Sequence, residues 1–307
     1  VQTISQKIYR LRDDIPACAT VKPGEVFRVE IQNAFGKSFD NLEEFEFFLS
    51  AENETEKKSV NHPCTGPIAV EGATDAHSLA VTILSAKAHR GFQCISKSTG
   101  LLRSEFTKRF CSIYDIKDGK YLEFHGGDVV LHANPKVGFI STLDQMERSC
   151  GRSSENGGNL DLNFLDEGSV IYLPVNHPTQ ARIAFGDLHI CQGNGEAAGI
   201  GIEADGELEV RIDLVDKINF PIIDNRNQMV YVGWGDSLDE GITRAVKNAM
   251  TYLERLFPFS QWESGELYKF LSAEGNMTLG NSSGKVKTCG LSLLKKRMKN
   301  KYGFPLF

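Results

Sequence analysis

The strongest constraint on this chain is a phrase that recurs through its first two-thirds, a tight turn followed by a short run of alternating apolar and polar residues. Val21-Lys22-Pro23-Gly24-Glu25 reads as a turn, because proline fixes φ and glycine tolerates positive φ. Phe27, Val29 and Ile31 then alternate with Arg28 and Glu30, the mark of a half-buried strand. The phrase returns at 74–84 (TDAHSLAVTIL), at 167–175 (EGSVIYLPV) and at 207–214, the last after Ala204-Asp205-Gly206. The echoes are too loose for a sequence repeat. Strands with one buried face, joined by short turns, favour a β-sandwich.

The last third has a different period. Ser237 with Glu240 three residues on has the form of a capping box, and Ile242, Ala245, Val246, Ala249, Leu253 and Leu256 follow at helical spacing up to Pro258. A second helix is expected to begin at 260–263 and to carry Leu267, Phe270 and Leu271. Earlier in the chain, 42–49 (LEEFEFFL) predicts a short amphipathic helix leading into a polar segment at 50–59. That segment reads as an exposed loop, with a lid over a site as the functional alternative. Residues 140–158, rich in Ser and Gly, read as a functional connection with no buried face. The expected organisation is a β part over 1–216 carrying the site motifs and an α+β part over 217–307. No flexible linker separates them, so one compact unit is expected. The tail KKRMKNKYGFPLF reads as a solvated helix end followed by a segment packing on the body or on a neighbouring subunit.

Composition removes several classes of function. A net charge of −6 with no basic stripe argues against nucleic acid as partner. No apolar run reaches the roughly 18 residues of a membrane span, and the N-terminal residues lack the apolar core of a signal peptide. Seven scattered cysteines without a CxxC pair argue against a zinc–thiolate site or a disulfide framework. A cytoplasmic protein with reduced thiols is the expectation. Gly193, Gly195 and Gly199 do not form a dinucleotide fingerprint, so no nucleotide cofactor is expected.

The chemistry concentrates between Gly157 and Glu203, where Asp, Asn, Glu and His crowd a strand-and-turn sequence spaced by glycines. Asp187 and His189 lie two apart in a β-like run, so both side chains leave one face. A carboxylate beside an imidazole serves as an acid/base couple or as a pair of metal ligands. Asp161, Asp187 and His189 are the candidate ligands of one divalent ion, zinc or calcium. Asp187, His189, Glu196 and Glu71 are the candidate catalytic groups, and a metal-free acid/base site is the alternative. The turn at 192–196 offers backbone N–H groups that could approach a small ligand or an oxyanion. Cys64 and Cys191 read as small buried hydrophobes rather than nucleophiles. His125-Gly126-Gly127-Asp128 reads as a hairpin turn.

GGNLD at 157–161, IYLPV at 171–175, GDLHICQGNGE at 186–196 and IGIE at 200–203 together resemble the signature of the acetamidase/formamidase family. NHPCTGPIAVEGA at 61–73 is similar to that family's other marked stretch. The resemblance runs in order over most of the chain, roughly residues 15 to 280. It implies a jelly-roll-type β-sandwich, hydrolysis of a short linear amide of formamide or acetamide type, and a homo-oligomer. A different amide or a lactam as substrate, or a catalytically silent binding protein, are the rival functions. Substrate contacts are then expected from His62, Thr65, Gln192, Gly193 and Asn194. The chain departs from the family's pattern at Asn156, where His is typical, at Asn194, where Asp is typical, and at Asn276, where an acidic residue is typical. Asn keeps a hydrogen-bonding carbonyl but is no base near neutral pH.

Overall fold

Alternation becomes pleat in the strand Val26–Ile31, where Phe27, Val29 and Ile31 are buried and Arg28 and Glu30 are exposed. The computed structural model describes residues 1–12, 14–50, 62–96, 98–256 and 264–297. Its spine is an antiparallel pair of long strands, His77–Ile95 and Glu203–Asp216, paired from His77 opposite Asp216 to Phe92 opposite Glu203 with register shifts between Glu209 and Val210 and between Ala204 and Gly206. Val26–Ile31 pairs on the outer side of Glu203–Asp216, and Val170–Pro174 on the outer side of His77–Ile95. Ile222–Asn225, Gln228–Gly235, Lys287–Leu294 and Asn276–Leu279 continue that layer.

A second layer consists of Cys64–Val70, Arg182–His189, Lys136–Thr142 and Gly157–Asn159. The main core lies between the layers. Phe27, Val81 and Val210 come from one, and Ile68, Ile140 and Phe185 from the other. The rings of Phe27 and Phe185 meet edge-to-face at 6.4 Å. Each such fully buried side chain stabilises the fold by about 1.5–3 kcal/mol. Strand pairing joins the layers where Leu188 and His189 pair with Ala204 and Glu203. Among the described residues strand pairing therefore traces one curled sheet of 17 strands, with two separate two-stranded sheets beside it. The architecture is mainly β with a smaller C-terminal α+β region, as the sequence indicated.

The helix Leu238–Leu256 buries Ala245, Ala249 and Leu253 on Met229, Tyr231, Leu291 and Leu293. Its start is capped as read: Ser237 Oγ accepts from the Glu240 N–H at 3.2 Å, and the Glu240 carboxylate accepts from the Asp236 N–H at 2.9 Å. The helix Ser264–Glu274 buries Leu267 and Leu271. Leu42–Phe48 is helical, with Asn41 accepting from the Glu44 N–H. The expected hairpin at His125 joins the antiparallel strands Tyr121–Phe124 and Val129–His132. The expected features at 51–59, at 257–263 and beyond 297 lie outside the described residues.

One expectation fails. Residues 140–158 do bury a face, since Ser141, Thr142, Ser153, Ser154 and Asn156 are all buried. These small polar side chains can go inside because backbone carbonyls take their hydroxyls, Thr142 donating to Pro174 O at 2.6 Å and Ser153 to Asn159 O at 2.5 Å. The stretch contributes Ser153–Ser154 and Gly157–Asn159 to the sheet rather than hanging outside it. Among the described residues no helix is long and apolar enough to cross a membrane.

Candidate active site

The junction of the two layers is also where the polar side chains converge. His189, the last residue of its strand, faces Glu203, the first of its own. Asp187 leaves the same face two residues earlier. Opposite it, between the pairs Val137–Leu188 and Phe139–Gly186, stands Gly138. Asp161 comes from the segment after Gly157–Asn159, and Glu196 from the glycine-rich turn. Around the His189 ring, Glu203 Oε1 lies 3.0 Å and Asp161 Oδ1 3.9 Å from Nε2, and Glu196 Oε1 lies 3.6 Å from Nδ1. All five groups are buried, with 2–7% of their surface exposed, so the charges are not solvated. They line one cavity of about 440 Å³, with His62, Asn159 and Asn281 also in its wall.

The backbone is bent to bring these groups together. Among the described non-glycine residues with positive φ are His62 (51°), Asp161 (49°), Asp187 (21°) and Glu196 (38°), all lining this cavity. Side chains rarely tolerate such φ, at a cost of order 1–3 kcal/mol each, and it persists only where the surroundings impose it. Gly138 is required for a different reason. A Cβ there would lie 2.2 Å from Asp187 Oδ1, 2.8 Å from His189 Cε1 and 3.0 Å from Asp161 Oδ1. Its carbonyl also accepts from the N–H groups of Leu160 and Asp161, at 2.9 and 3.2 Å.

Hydrogen bonds fix each group's orientation. Gln192 turns its amide nitrogen to the Asp161 carbonyl, so its oxygen is free to accept from His189 Nδ1 at 2.9 Å. Nδ1 therefore donates to Gln192, and Nε2 is turned toward Glu203. Asn159 and Asn281 both donate to Asp161 Oδ2, at 2.7 and 2.9 Å, which leaves Oδ1 facing the cluster.

Four carboxylates around one imidazole cannot all be ionised in a buried site. Two like charges 4 Å apart repel by about 4 kcal/mol even at an effective dielectric near 20. Burial accordingly pushes Asp187 up to about 7, with Glu203 adding to the rise and His189 opposing it. Burial likewise pushes Glu196 up to about 7, again opposed by His189 and assisted by Glu203. Burial and the neighbouring Glu196 hold Asp161 well above the carboxylate range. For His189, burial alone would lower the imidazole, but Glu203, Glu196 and Asp161 hold it well above its usual range. Burial keeps His62 below its usual range.

The donor set suits a cation. Asp161, Asp187 and His189 present ligand atoms within 4.8 Å of one another, and so do His189, Glu196 and Glu203. Asp187 Oδ1, Glu196 Oε1 and Glu203 Oε2 are buried acceptors with no hydrogen-bond partner. Acceptors left bare in a dry site cost free energy that a bound cation recovers.

Of the residues expected from sequence, Asp161, Asp187, His189 and Glu196 converge, and His62 joins the cavity wall. Gln192 is present as the group that orients His189. Glu71 stands on an exposed turn and lines no part of the cavity. Thr65 is buried between the two strands at its side, donating to Glu30 O at 2.5 Å and accepting from Lys7 Nζ at 2.8 Å. Gly193 and Asn194 are exposed outside the cavity. Within the turn the Gly195 N–H is bonded to Leu279 O and the Glu196 N–H to Gly193 O, and just beyond it the Gly199 N–H is bonded to Glu196 O. These bonds hold Glu196 in place. Cys191 donates to His132 O at 3.0 Å, and burial pushes the Cys64 thiol well up, so neither is a poised nucleophile.

Glu203, Gly138, Asn159 and Asn281 were not picked out by sequence. Glu203 had a signal, as the acidic residue ending a glycine-rich stretch and opening an alternating strand. Of the departures from the family pattern, Asn156 is buried, donating to Asp144 Oδ2 at 2.6 Å, while Asn194 and Asn276 are exposed. None of these three lines the cavity.

A model of the acetamidase/formamidase family matches residues 2–149 and 144–275. A formamidase of Methylophilus methylotrophus is 26% identical over 273 residues, which cover 67% of this chain and 63% of that protein. An acetamidase of Mycolicibacterium smegmatis is 25% identical over 272 residues, 67% of this chain and 65% of that one. The match thus spans slightly less than two thirds of each relative's length. The crystal structure of an acetamidase from Bacillus halodurans superposes with a TM-score of 0.88 at 23% identity, covering 98% of this chain and 100% of that one. That likeness shows a shared fold.

Two outcomes follow from the cluster's electrostatics and packing. The raised carboxyls of Asp187 and Glu196 bind protons more tightly in the folded than in the unfolded chain. Their stabilising contribution is full below about pH 4 and is lost as pH rises through about 7. Asp161 and His189 act in the same sense and His62 against it. Denaturant unfolding of chelated protein should therefore show stability falling from about pH 4 to 7, and a flat or rising profile contradicts the charge arrangement. Second, a divalent cation at a hundredfold excess over its Kd should stabilise the protein by about 2.7 kcal/mol. Gly138→Ala should abolish that increment in thermal melts, because its methyl group displaces Asp187.

Proposed function

This chain belongs to the acetamidase/formamidase family, and on that premise we propose that it hydrolyses the C–N bond of a linear amide to ammonia and a carboxylate. The observation that carries the proposal is the buried imidazole ringed by four carboxylates in the wall of a cavity large enough for a small molecule. Amide hydrolysis needs an activated water, a stabilised tetrahedral oxyanion and a proton for the departing amine. Groups with pKa values near 7 are suited to giving and taking protons at neutral pH, and Asp187 and Glu196 are such groups.

His189, Asp161, Asp187, Glu196 and Glu203 are the residues that would hold a divalent ion. An imidazole nitrogen among carboxylate oxygens suits a zinc-class ion better than calcium, whose ligands are oxygens. Bound there, such an ion supplies Lewis-acid polarisation and the positive charge that the carboxylates lack. The chain's own residues do the rest. Gln192 accepts from Nδ1 and so fixes the orientation of the His189 ring. Asn159 and Asn281 keep Asp161 turned inward. An ionised carboxylate of the cluster takes a proton from the water whose oxygen adds to the amide carbon, and in its carboxyl form returns one to the nitrogen as the C–N bond breaks. Assembly as a homo-oligomer is part of the same proposal by kinship.

The test is ammonia release from short linear amides, on the protein as purified, after chelation and after zinc is restored. Turnover lost on chelation and regained with zinc is expected. His189→Ala should reduce turnover by roughly 10²–10⁴-fold with an unchanged circular dichroism spectrum. Retained turnover in that variant would remove His189 from the chemistry, and no turnover from any amide with metal restored would contradict the amidase assignment.

A further inference from the structure

We propose that the amide taken by this site carries an anionic group several bonds from its C–N bond, and that Arg109 selects it. The inference rests on the amidase assignment and goes beyond it in naming the substrate class. Its first support is size. Pockets of roughly 300–1,000 Å³ enclose drug-sized ligands, and this cavity of about 440 Å³ is among them. An amide of three or four heavy atoms displaces only a few waters of about 30 Å³ each. Such a molecule would leave most of the cavity wet.

The second support is what the rest of the wall contains. Beyond the carboxylate cluster one part of the lining comes from the end of the strand His77–Ile95 and the residues after it, including Ser96, Ser98 and Arg109, and other parts from Ala34, Phe35, His62 and Asn281. Strand register places these relative to the cluster. Phe92 is opposite Glu203, and Ile95 is opposite Phe110, so Arg109 is level with Ser96. Four residues of strand separate that level from Glu203, roughly 13 Å at about 3.3 Å per residue. The side chain reaches into the cavity from there.

The third support is charge. Arg109 is exposed and makes no ion pair with any described residue. An arginine fork is built for carboxylate, accepting it by two parallel N–H donors. Ser96 and Ser98, whose hydroxyls lie 2.8 Å apart, add donors at the same level. The amide end of such a substrate meets the buried cluster and its anionic end meets Arg109. Monoamides of short dicarboxylic acids have this form. The competing explanation is that Arg109 only offsets the field of the buried carboxylates, in which case its loss affects charged and uncharged amides alike.

The test compares kcat/KM for the monoamide of a short dicarboxylic acid with that for an uncharged amide of equal chain length. Wild-type protein, Arg109→Met and Arg109→Lys are assayed. The wild type should favour the anionic amide about ten- to hundredfold, the worth of a charge-assisted hydrogen bond. Arg109→Met should erase that preference, mainly through KM, and Arg109→Lys should keep part of it. A wild type that favours the uncharged amide, or an Arg109→Met variant that slows both equally, overturns the proposal while amide turnover leaves the amidase assignment standing. No turnover from either amide overturns the proposal, and the amidase assignment falls with it only if no short linear amide is hydrolysed with metal restored.

Discussion

Repulsion among Asp161, Asp187, Glu196 and Glu203, all within a few ångströms of one buried imidazole, is the constraint on which the rest of this structure depends. A buried site cannot hold four negative charges against at most one positive. Protons or a cation must balance them, and each choice has a different chemistry. With protons, carboxyls titrate near neutrality and serve as acid and base. With a cation, the same oxygens become ligands. The fold keeps both options available because it leaves acceptors of Asp187, Glu196 and Glu203 without partners inside the protein.

Holding that arrangement requires rigidity elsewhere. The residues with strained φ in this cavity each cost of order 1–3 kcal/mol. The two-layer core offsets that cost, with Phe27, Phe185, Ile68 and Val210 packed between the layers. The junction Leu188–His189 with Ala204–Glu203 converts two sheets into one and sets His189 against Glu203 in register. Lys136, which pairs with His189 at the end of the neighbouring strand, is itself anchored by a buried bond to Asp166 at 2.7 Å. Gly138 leaves room for Asp187 in the middle of this frame, a position where any side chain would collide with the cluster.

Much of this was legible in the sequence, and the limits have a physical form. Strand alternation at Phe27, Val29 and Ile31 and the capping signal at Ser237 were local, and local physics decided them. Asp187 and His189 could be placed together because parity along a single strand is enough. Asp161 and Glu196 were legible as polar residues out of place in a core sequence. Glu203 and Gly138 were not, because their roles come from register between strands, which no single run of residues encodes. Asn281 is farther still, reaching Asp161 across 120 positions of chain. Glu71 was misplaced for the converse reason: a motif near the site in sequence ends on a turn that points to solvent. The 140–158 stretch was read as outside because its residues are polar, yet backbone carbonyls satisfy them inside.

The central claim is that the buried carboxylates exchange protons for a divalent cation. Calorimetric titration of zinc into chelator-treated protein near pH 6, repeated in buffers of different ionisation enthalpy, measures the protons released per ion bound. The charge arrangement predicts net proton release, diminishing as pH is raised above about 7 where Asp187 and Glu196 have already ionised. Binding without proton release, or no binding with the fold intact, would contradict it.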